Sequence, residues 1–324
     1  MINPVLAGRI FGIAFACGLN LYATVALLGL AVRNEWIVDL PAGLGGLGHG
    51  IVIGSALALY AVELVVDRMR FVGTTWEAVH TLIRPAAAGG LALLALQDVA
   101  LPLQLAAALT AAAMALLAHG SKAGFRLILA TRARPRRALR TAISIVEDIL
   151  AVALAAAALL HPNAALIALA ASVVLLVFAG PRLWRAAVLG VRAAVARLRG
   201  FFGRPGWRSR DQLPRSLRAV IPVEPLGRSP ARAAPAAITG HGGIGSYRNG
   251  WLVLTCDGPR FVYRALFRPR FRELSDITGV TLRIGLVTDA LYISAASGAA
   301  FTIFLLKDGP SPHHAMAELA GRAR

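Results

Sequence analysis

Six apolar runs occupy the first 180 residues, at about 5–31, 50–67, 78–97, 103–131, 141–160 and 163–180. Each approaches the roughly 20 residues that a hydrocarbon core requires. The fourth is long enough to tilt or protrude. Pro85 predicts a start or a kink in the third helix. Gly89 and Gly90 interrupt the same run, so it reads either as a continuous span or as a broken, re-entrant one. From 181 to 202 the period stays helical but becomes two-faced. Arg182, Arg185, Arg192 and Arg199 share one side, and Trp184, Val188, Val191, Val195, Leu198 and Phe202 share the other. Residues 203–237 scatter Pro205, Pro214, Pro222, Pro225, Pro230 and Pro235 among arginines, which predicts a linker, extended in part. From 238 the period becomes two. Strands are expected at 250–256, 260–267, 279–287, 290–295 and 299–306, separated by Asp257-Gly258-Pro259, Ser297-Gly298 and Asp308-Gly309. Ser311 and Pro312 then open a short helix that turns Met316 and Leu319 inward.

The expected fold is therefore an α-helical polytopic membrane bundle plus a small, mostly antiparallel β domain with a C-terminal helix. Its parts are a six-helix transmembrane domain (1–180), a basic amphipathic juxtamembrane helix (181–202), a Pro/Arg-rich linker (203–237) and a cytoplasmic β domain (238–324). Composition agrees. The chain is 57% hydrophobic and 15% charged, with mean hydropathy +0.65, against about 45–50% and about 25% in soluble domains. The net charge of +18 gathers beside the apolar runs, at 132–140 and 182–218. There it reads as a cytoplasmic flank. No zinc-finger spacing or heptad-borne basic region accompanies it, which sets nucleic acid aside. The arginines predict a bacterial-type inner membrane with both termini cytoplasmic, while the loop at 34–50, with Glu35 and Asp39, falls outside. The N-terminus reads as a first span rather than a removed signal peptide. Cys17 and Cys256 predict neither a disulfide nor a zinc site.

Four of the runs carry ionisable or polar residues at helical spacing. These are Glu63 and Asp67; His80 and Arg84; His119, Lys122 and Arg126; and Ser144 with Glu147 and Asp148. Offsets of three and four put such groups on one helix face. A charge inside a span costs roughly 2.5–3.5 kcal/mol on insertion scales, so these groups are expected to face a bundle interior. Asn20, with Thr24 one turn on, is read first as an interhelical hydrogen bond. Tyr22, Trp36, Tyr60 and Trp76 are read as interface or packing aromatics. Sliding the chain by 63 residues lays Glu63 on Arg126 and Arg84 on Glu147, and those two couples are the expected ion pairs.

The membrane part resembles a family of membrane proteins known as domain of unknown function 4126. The likeness is carried by GLNLYATVALLGL (18–30), YAVELVVDRM followed by TTWEAVHTLIRPAAAG (60–89), HGSKAGFR (119–126) and SIVEDILA (144–151). The arginines of 130–140 depart from the more neutral loop of that family. The resemblance supports the unit and implies no activity. GWLVLTCDGPRFVYRALFRPRFREL, two further strands and HHAMAELAGRAR resemble bacterial pleckstrin-homology-like domains, which bind phosphoinositides, peptides or other protein parts.

Three readings of function follow. In the first, a permease moves a small polar or anionic solute, or a lipid head group, through a polar cleft, with Lys122 and Arg126 attracting negative charge. In the second, a scaffold or lipid sensor uses its buried charges as structural ion pairs. The third is an intramembrane lipid-modifying enzyme, although no G-x-S-x-G, H-E-x-x-H or Walker motif is present. No cofactor and no metal is expected. The expected partners are a bilayer with an anionic inner leaflet, a small solute or lipid, and a second copy of the chain in a homo-oligomer; the arginines and Trp184 of 181–202 either touch that leaflet or belong to a cytoplasmic extension of the last span packed on the C-terminal domain.

Overall fold

The computed structural model of the chain describes residues 4–37, 40–67, 69–132, 137–203, 206–221, 230–265, 268–285 and 287–321. Asp39, Arg68, the side chain of Arg70, the arginine side chains of 132–140, Pro205, Pro222 and Pro225 lie outside that set. The chain forms two compact units, Met1–Ala187 and Val188–Arg324.

The first unit is helical: α1 (Pro4–Leu19), α2 (Leu21–Arg33), a 3-10 turn (Ala42–Gly48), α3 (Gly50–Val66), α4 (Arg70–Ala95), α5 (Leu101–Arg132), α6 (Arg137–Leu160) and α7 (Pro162–Phe201), whose last turns belong to the second unit. Four stretches of described residues are long and apolar enough to cross a membrane: Thr75–Ala95, Leu101–Leu129, Thr141–Leu160 and Pro162–Gly200. The 3-10 turn and α3, bent by 66°, make a fifth if counted as one span. Outward-facing Leu82, Leu109, Ile167 and Phe178 are exposed, as in a protein solvated by lipid. The inner seam is built of small residues, Ala111, Ala115 and Ala118 on α5 and Ala151, Ala155 and Ala158 on α6, which let helices approach closely.

Two expectations change here. The third run is continuous through Pro85, and Gly89 serves close packing, since a Cβ there would lie 3.2 Å from the carbonyl of Ala108. The first run is the broken one, and where six spans are expected the described residues offer four, or five with the bent pair. Asn20 has extended backbone angles (φ −147°, ψ 103°) and caps α2, its Oδ1 accepting from the Ala23 amide at 3.0 Å. That bond takes the amide which an unbroken helix would return to the Leu19 carbonyl. Beyond the break α2 folds back beside α1. Leu6, Ile10 and Ile13 of α1 and Leu28 of α2 line one apolar pocket with Leu91 and Ala95, at the C-terminal end of α4. Gly8 of α1 is level with Pro162, at the junction of α6 and α7. Both arms therefore rise toward the same end of the bundle, with Asn20 at the tip. At 1.5 Å per residue α1 is about 24 Å long, short of a hydrocarbon core of about 30 Å.

The second unit carries β1 (Arg208–Ser209), a 3-10 turn (Arg210–Gln212), α8 (Arg215–Arg218), β2 (Arg232–Thr239), β3 (Arg248–Thr255), β4 (Gly258–Ala265), β5 (Arg268–Glu273), β6 (Ile277–Arg283), β7 (Thr288–Ala295), β8 (Ala300–Leu306) and α9 (Pro312–Ala320). The pairing is antiparallel in the order β5-β4-β3-β2-β8-β7-β6, with β1 added to β2. The core joins Ile238, Leu252, Phe261, Leu291 and Ile303 to Ala315 and Leu319 of α9, and Ser311 caps that helix as expected. β2 begins inside the expected linker, at Arg232. Its sequence, RAAPAAIT, is alanine-rich and contains proline, both poor strand signals. Pro235 is tolerated because it falls between the residues paired with β1 (Arg232, Ala233) and those paired with β8 (Ala236–Thr239), where the ladder asks for no amide on that edge.

Candidate functional site

The charged faces of α3, α4, α5 and α6 converge around the tip of the α1–α2 hairpin. The break at Asn20 leaves carbonyl oxygens without helical amides, and cations take them. Arg84 Nη1 donates to the oxygens of Gly18 (2.8 Å) and Leu19 (2.9 Å), and Lys122 Nζ donates to Leu19 (2.8 Å). Arg84, with no exposed surface, also donates from Nη2 to Glu63 at 2.5 Å. Lys122 lies 3.6 Å from Glu63 and 3.7 Å from Glu147. Arg126 spans three carboxylates, donating to Asp67 at 2.8 Å, to Glu77 at 2.9 Å and, through Nε, to Glu147 at 2.9 Å. Ser144 adds a hydrogen bond to Asp67 at 3.1 Å.

The expected couples, Arg84–Glu147 and Glu63–Arg126, are not the ones formed. Glu63 joins Arg84, and Arg126 joins Glu147, each pair linking two consecutive helices at a separation of 21 residues. The charge-reversed relation under the 63-residue slide survives as two equivalent pairs, one in each helical hairpin.

Glu77 is a member of the cluster that the expected charged faces leave out. It stands three residues before His80 and seven before Arg84, the same spacing that singles out its neighbours. Besides Arg126, its Oε2 lies 3.4 Å from His119 Nδ1. His119 Nε2 faces the Glu77 carbonyl at 3.0 Å and so carries the hydrogen, which leaves Nδ1 to accept from Arg84 at 3.2 Å. His80 Nδ1 likewise donates to the Trp76 carbonyl at 2.8 Å, and its Nε2 accepts from the Tyr22 hydroxyl at 2.9 Å. Trp76 stacks on His80 with centroids 4.3 Å apart. Tyr22 and Tyr60 are thus members of the polar site, not only packing aromatics.

Asp148 differs from the other carboxylates. Its partners among the described residues are neutral: Asn20 Nδ2 donates at 2.8 Å and the Tyr60 hydroxyl at 3.4 Å. Counted formally, with carboxylates ionised and both histidines neutral, the described cluster sets five carboxylates against three cations. The near-neutral set expected from Glu63, Glu147 and Asp148 against Arg84, Lys122 and Arg126 becomes negative once Asp67 and Glu77 join it. Glu63 Oε2 and Asp67 Oδ1 are buried acceptors without a hydrogen-bond partner. No group of three or more His, Cys, Asp or Glu among the described residues is arranged to hold a metal ion.

The basic face of 181–202 is only partly a surface. Arg182, Arg199 and Trp184 are exposed, but Trp184 also covers Gly120, where an added Cβ would meet its ring at 2.9 Å. Arg185 is half-buried, and its Nε donates to the Pro181 carbonyl at 2.7 Å. Arg192 donates to Asn249 of β3 at 3.0 Å inside the second unit. The end of α7 is therefore at least in part a packing element for the sheet.

The family model described as Domain of unknown function (DUF4126) matches residues 8–182, which hold the hairpin and every member of the charged cluster. No curated protein and no solved structure matches the chain.

Proposed function

The chain belongs to the DUF4126 family of multi-pass membrane proteins, and from that premise we propose that it is a permease-type protein of a bacterial-type inner membrane, passing a small polar solute through the site at the hairpin tip. One observation carries this reading: a helix broken in mid-bundle, whose freed carbonyls and capping Asn20 meet five carboxylates and three cations. Broken helices that turn backbone groups and ionisable side chains toward one point are how membrane transporters build solute sites. The pairing of Lys122 and Arg126 with carboxylates speaks against the anionic solute expected from the sequence. The β unit, with its pleckstrin-homology-like pattern, is read as a sensor of lipid or partner. Arg182, Arg199 and Trp184 remain its candidates for touching an anionic leaflet.

Counting the bent 3-10 turn and α3 as one span gives five crossings, which supports a sidedness for the chain. With five spans, the start of α1 and the end of α7 fall on opposite sides. The arginines of 132–140 and 182–218 favour the cytoplasm for the latter. The hairpin then enters from the outer face, in place of the expected arrangement with both termini inside. An epitope ahead of α1 is expected to be reached by antibody on intact spheroplasts, and one after α9 only after permeabilisation. Labelling of both from the same side would refute this topology.

Flux is the direct test. Proteoliposomes of phosphatidylethanolamine and phosphatidylglycerol are expected to admit at least one of glycerol, sodium acetate or ethylammonium chloride faster than protein-free vesicles, by light scattering. Glu147→Gln and Lys122→Met, if folded, are expected to reduce that rate. A second reading, that the charges only hold the bundle together, is favoured by the pairing of all three cations. It gains if wild type and empty vesicles behave alike, or if neither variant alters the rate.

A further inference from the structure

We propose that the solute is a small organic cation of the alkylammonium type, and that Asp148 is the carboxylate that receives it. The proposal rests on the permease reading for its biological sense, but the binding it describes is measurable without flux. Among the described residues the three cations of the cluster already meet carboxylates, so an anion would arrive at a site with an excess of negative charge. Asp148 is the reverse case. It is buried in α6, and its partners are two neutral donors, Asn20 and Tyr60. A buried carboxylate is costly unless an opposite charge meets it. Arg84, Lys122 and Arg126 serve Glu63, Asp67, Glu77 and Glu147 instead. Glu63 Oε2, one turn from Tyr60 on α3, is a further buried acceptor without a hydrogen-bond partner, on a carboxylate that Arg84 already pairs through Oε1.

The Tyr60 ring beside the carboxylate suits an organic cation better than a bare ion. Tyr60 touches Asp148 directly. Aromatic faces attract ammonium groups, more strongly where water is excluded. A metal ion would want several convergent oxygen or nitrogen ligands, and the described residues hold no such group. An ammonium needs one carboxylate, one or two further acceptors and an apolar wall, which these residues can supply. Asn20 ties the site to the hairpin. A cation on Asp148 competes with the Asn20 and Tyr60 donors, so binding is expected to loosen the tip from α6.

The experiment uses full-length protein in detergent, with thermal unfolding followed in ethylammonium chloride, sodium chloride and sodium acetate at equal ionic strength. Ethylammonium is expected to raise the melting temperature above the other two salts. Asp148→Asn keeps the shape and the hydrogen bond from Asn20 but removes the charge. It is expected to weaken ethylammonium binding by about tenfold or more, the size of one charge-assisted hydrogen bond. Tyr60→Phe keeps both ring and carboxylate while deleting a competing donor, and is expected to tighten binding. It decides the matter if Asp148→Asn does not fold. Equal stabilisation by sodium chloride, a preference for acetate, undiminished binding by Asp148→Asn, or weakened binding by Tyr60→Phe would each overturn the proposal. Binding without flux would leave Asp148 as a cation site and remove the permease reading. Flux that Asp148→Asn leaves intact would do the opposite.

Discussion

Arg84→Met is expected to yield little or no folded protein. The side chain it removes is fully buried and holds four groups at once: Glu63, the carbonyls of Gly18 and Leu19, and His119. Methionine fills much of the space but donates nothing. Glu63 would keep only Lys122, at 3.6 Å, and the Gly18 carbonyl would lose its donor at the helix break. Breaking a buried ion pair by removing one member costs about 3–5 kcal/mol, against a total stability of about 5–15 kcal/mol for a typical domain. Arg84→Lys is expected to fall between the two. An ammonium can reach either the carboxylate or the carbonyls, but it lacks the planar fork that serves both. Yield of monodisperse protein and melting temperature in detergent are the measurements. If Arg84→Met melts within a few degrees of wild type, Arg84 does not hold the hairpin tip to α3 and α4.

Gly18→Ala is expected to be among the most damaging single-methyl changes in the first unit. A Cβ at Gly18 would run into the carbonyl oxygen of Ala115 and come within 2.6 Å of the Ala118 Cβ on α5. Neither neighbour can turn aside, because one is backbone and the other is a methyl fixed to it. The hairpin would have to lift from α5, drawing the Gly18 and Leu19 carbonyls away from Arg84 and Lys122. Overpacking of this kind costs about 1–3 kcal/mol before the ionic contacts are counted. Gly54→Ala is the internal control. Nothing lies within 4 Å of a Cβ there, and alanine favours the helix by up to about 1 kcal/mol, so that variant is expected to be neutral or slightly more stable. Equal melting temperatures for the two variants would mean that the α1–α5 approach is looser than its geometry implies.

The charged faces are largely legible in the order of residues alone. Spacings of three and four pick out Glu63 and Asp67, His80 and Arg84, Lys122 and Arg126; all but His80 join one ionic network, and His80 bonds to Tyr22 and Trp76 instead. Glu77 obeys the same rule and is open to the same inference. Tyr22 and Tyr60 are not, because an aromatic hydroxyl in a span looks alike whether it packs or donates. In the second unit, period two announces β3, β4, β6, β7 and β8. It misses β1, β5 and β2; the alanines and proline of β2 suit a strand only where its particular neighbours accept them.

Span-length hydrophobicity, the faces that carry charge and the alternation of the sheet are local properties. Each follows from the spacing of side chains along one helix or strand, and the chain alone determined them. Which charge meets which is not local. Asn20 reaches Asp148 across 128 residues, and Arg126 draws on three helices besides its own. The break at Asn20 is decided at the same level. A cap can replace one helical hydrogen bond, but the carbonyls it strands need donors, and those come from Arg84 and Lys122 on other helices. A continuous span and a hairpin are both open to the sequence GLNLYAT until those two cations are in position, and the folded bundle puts them there.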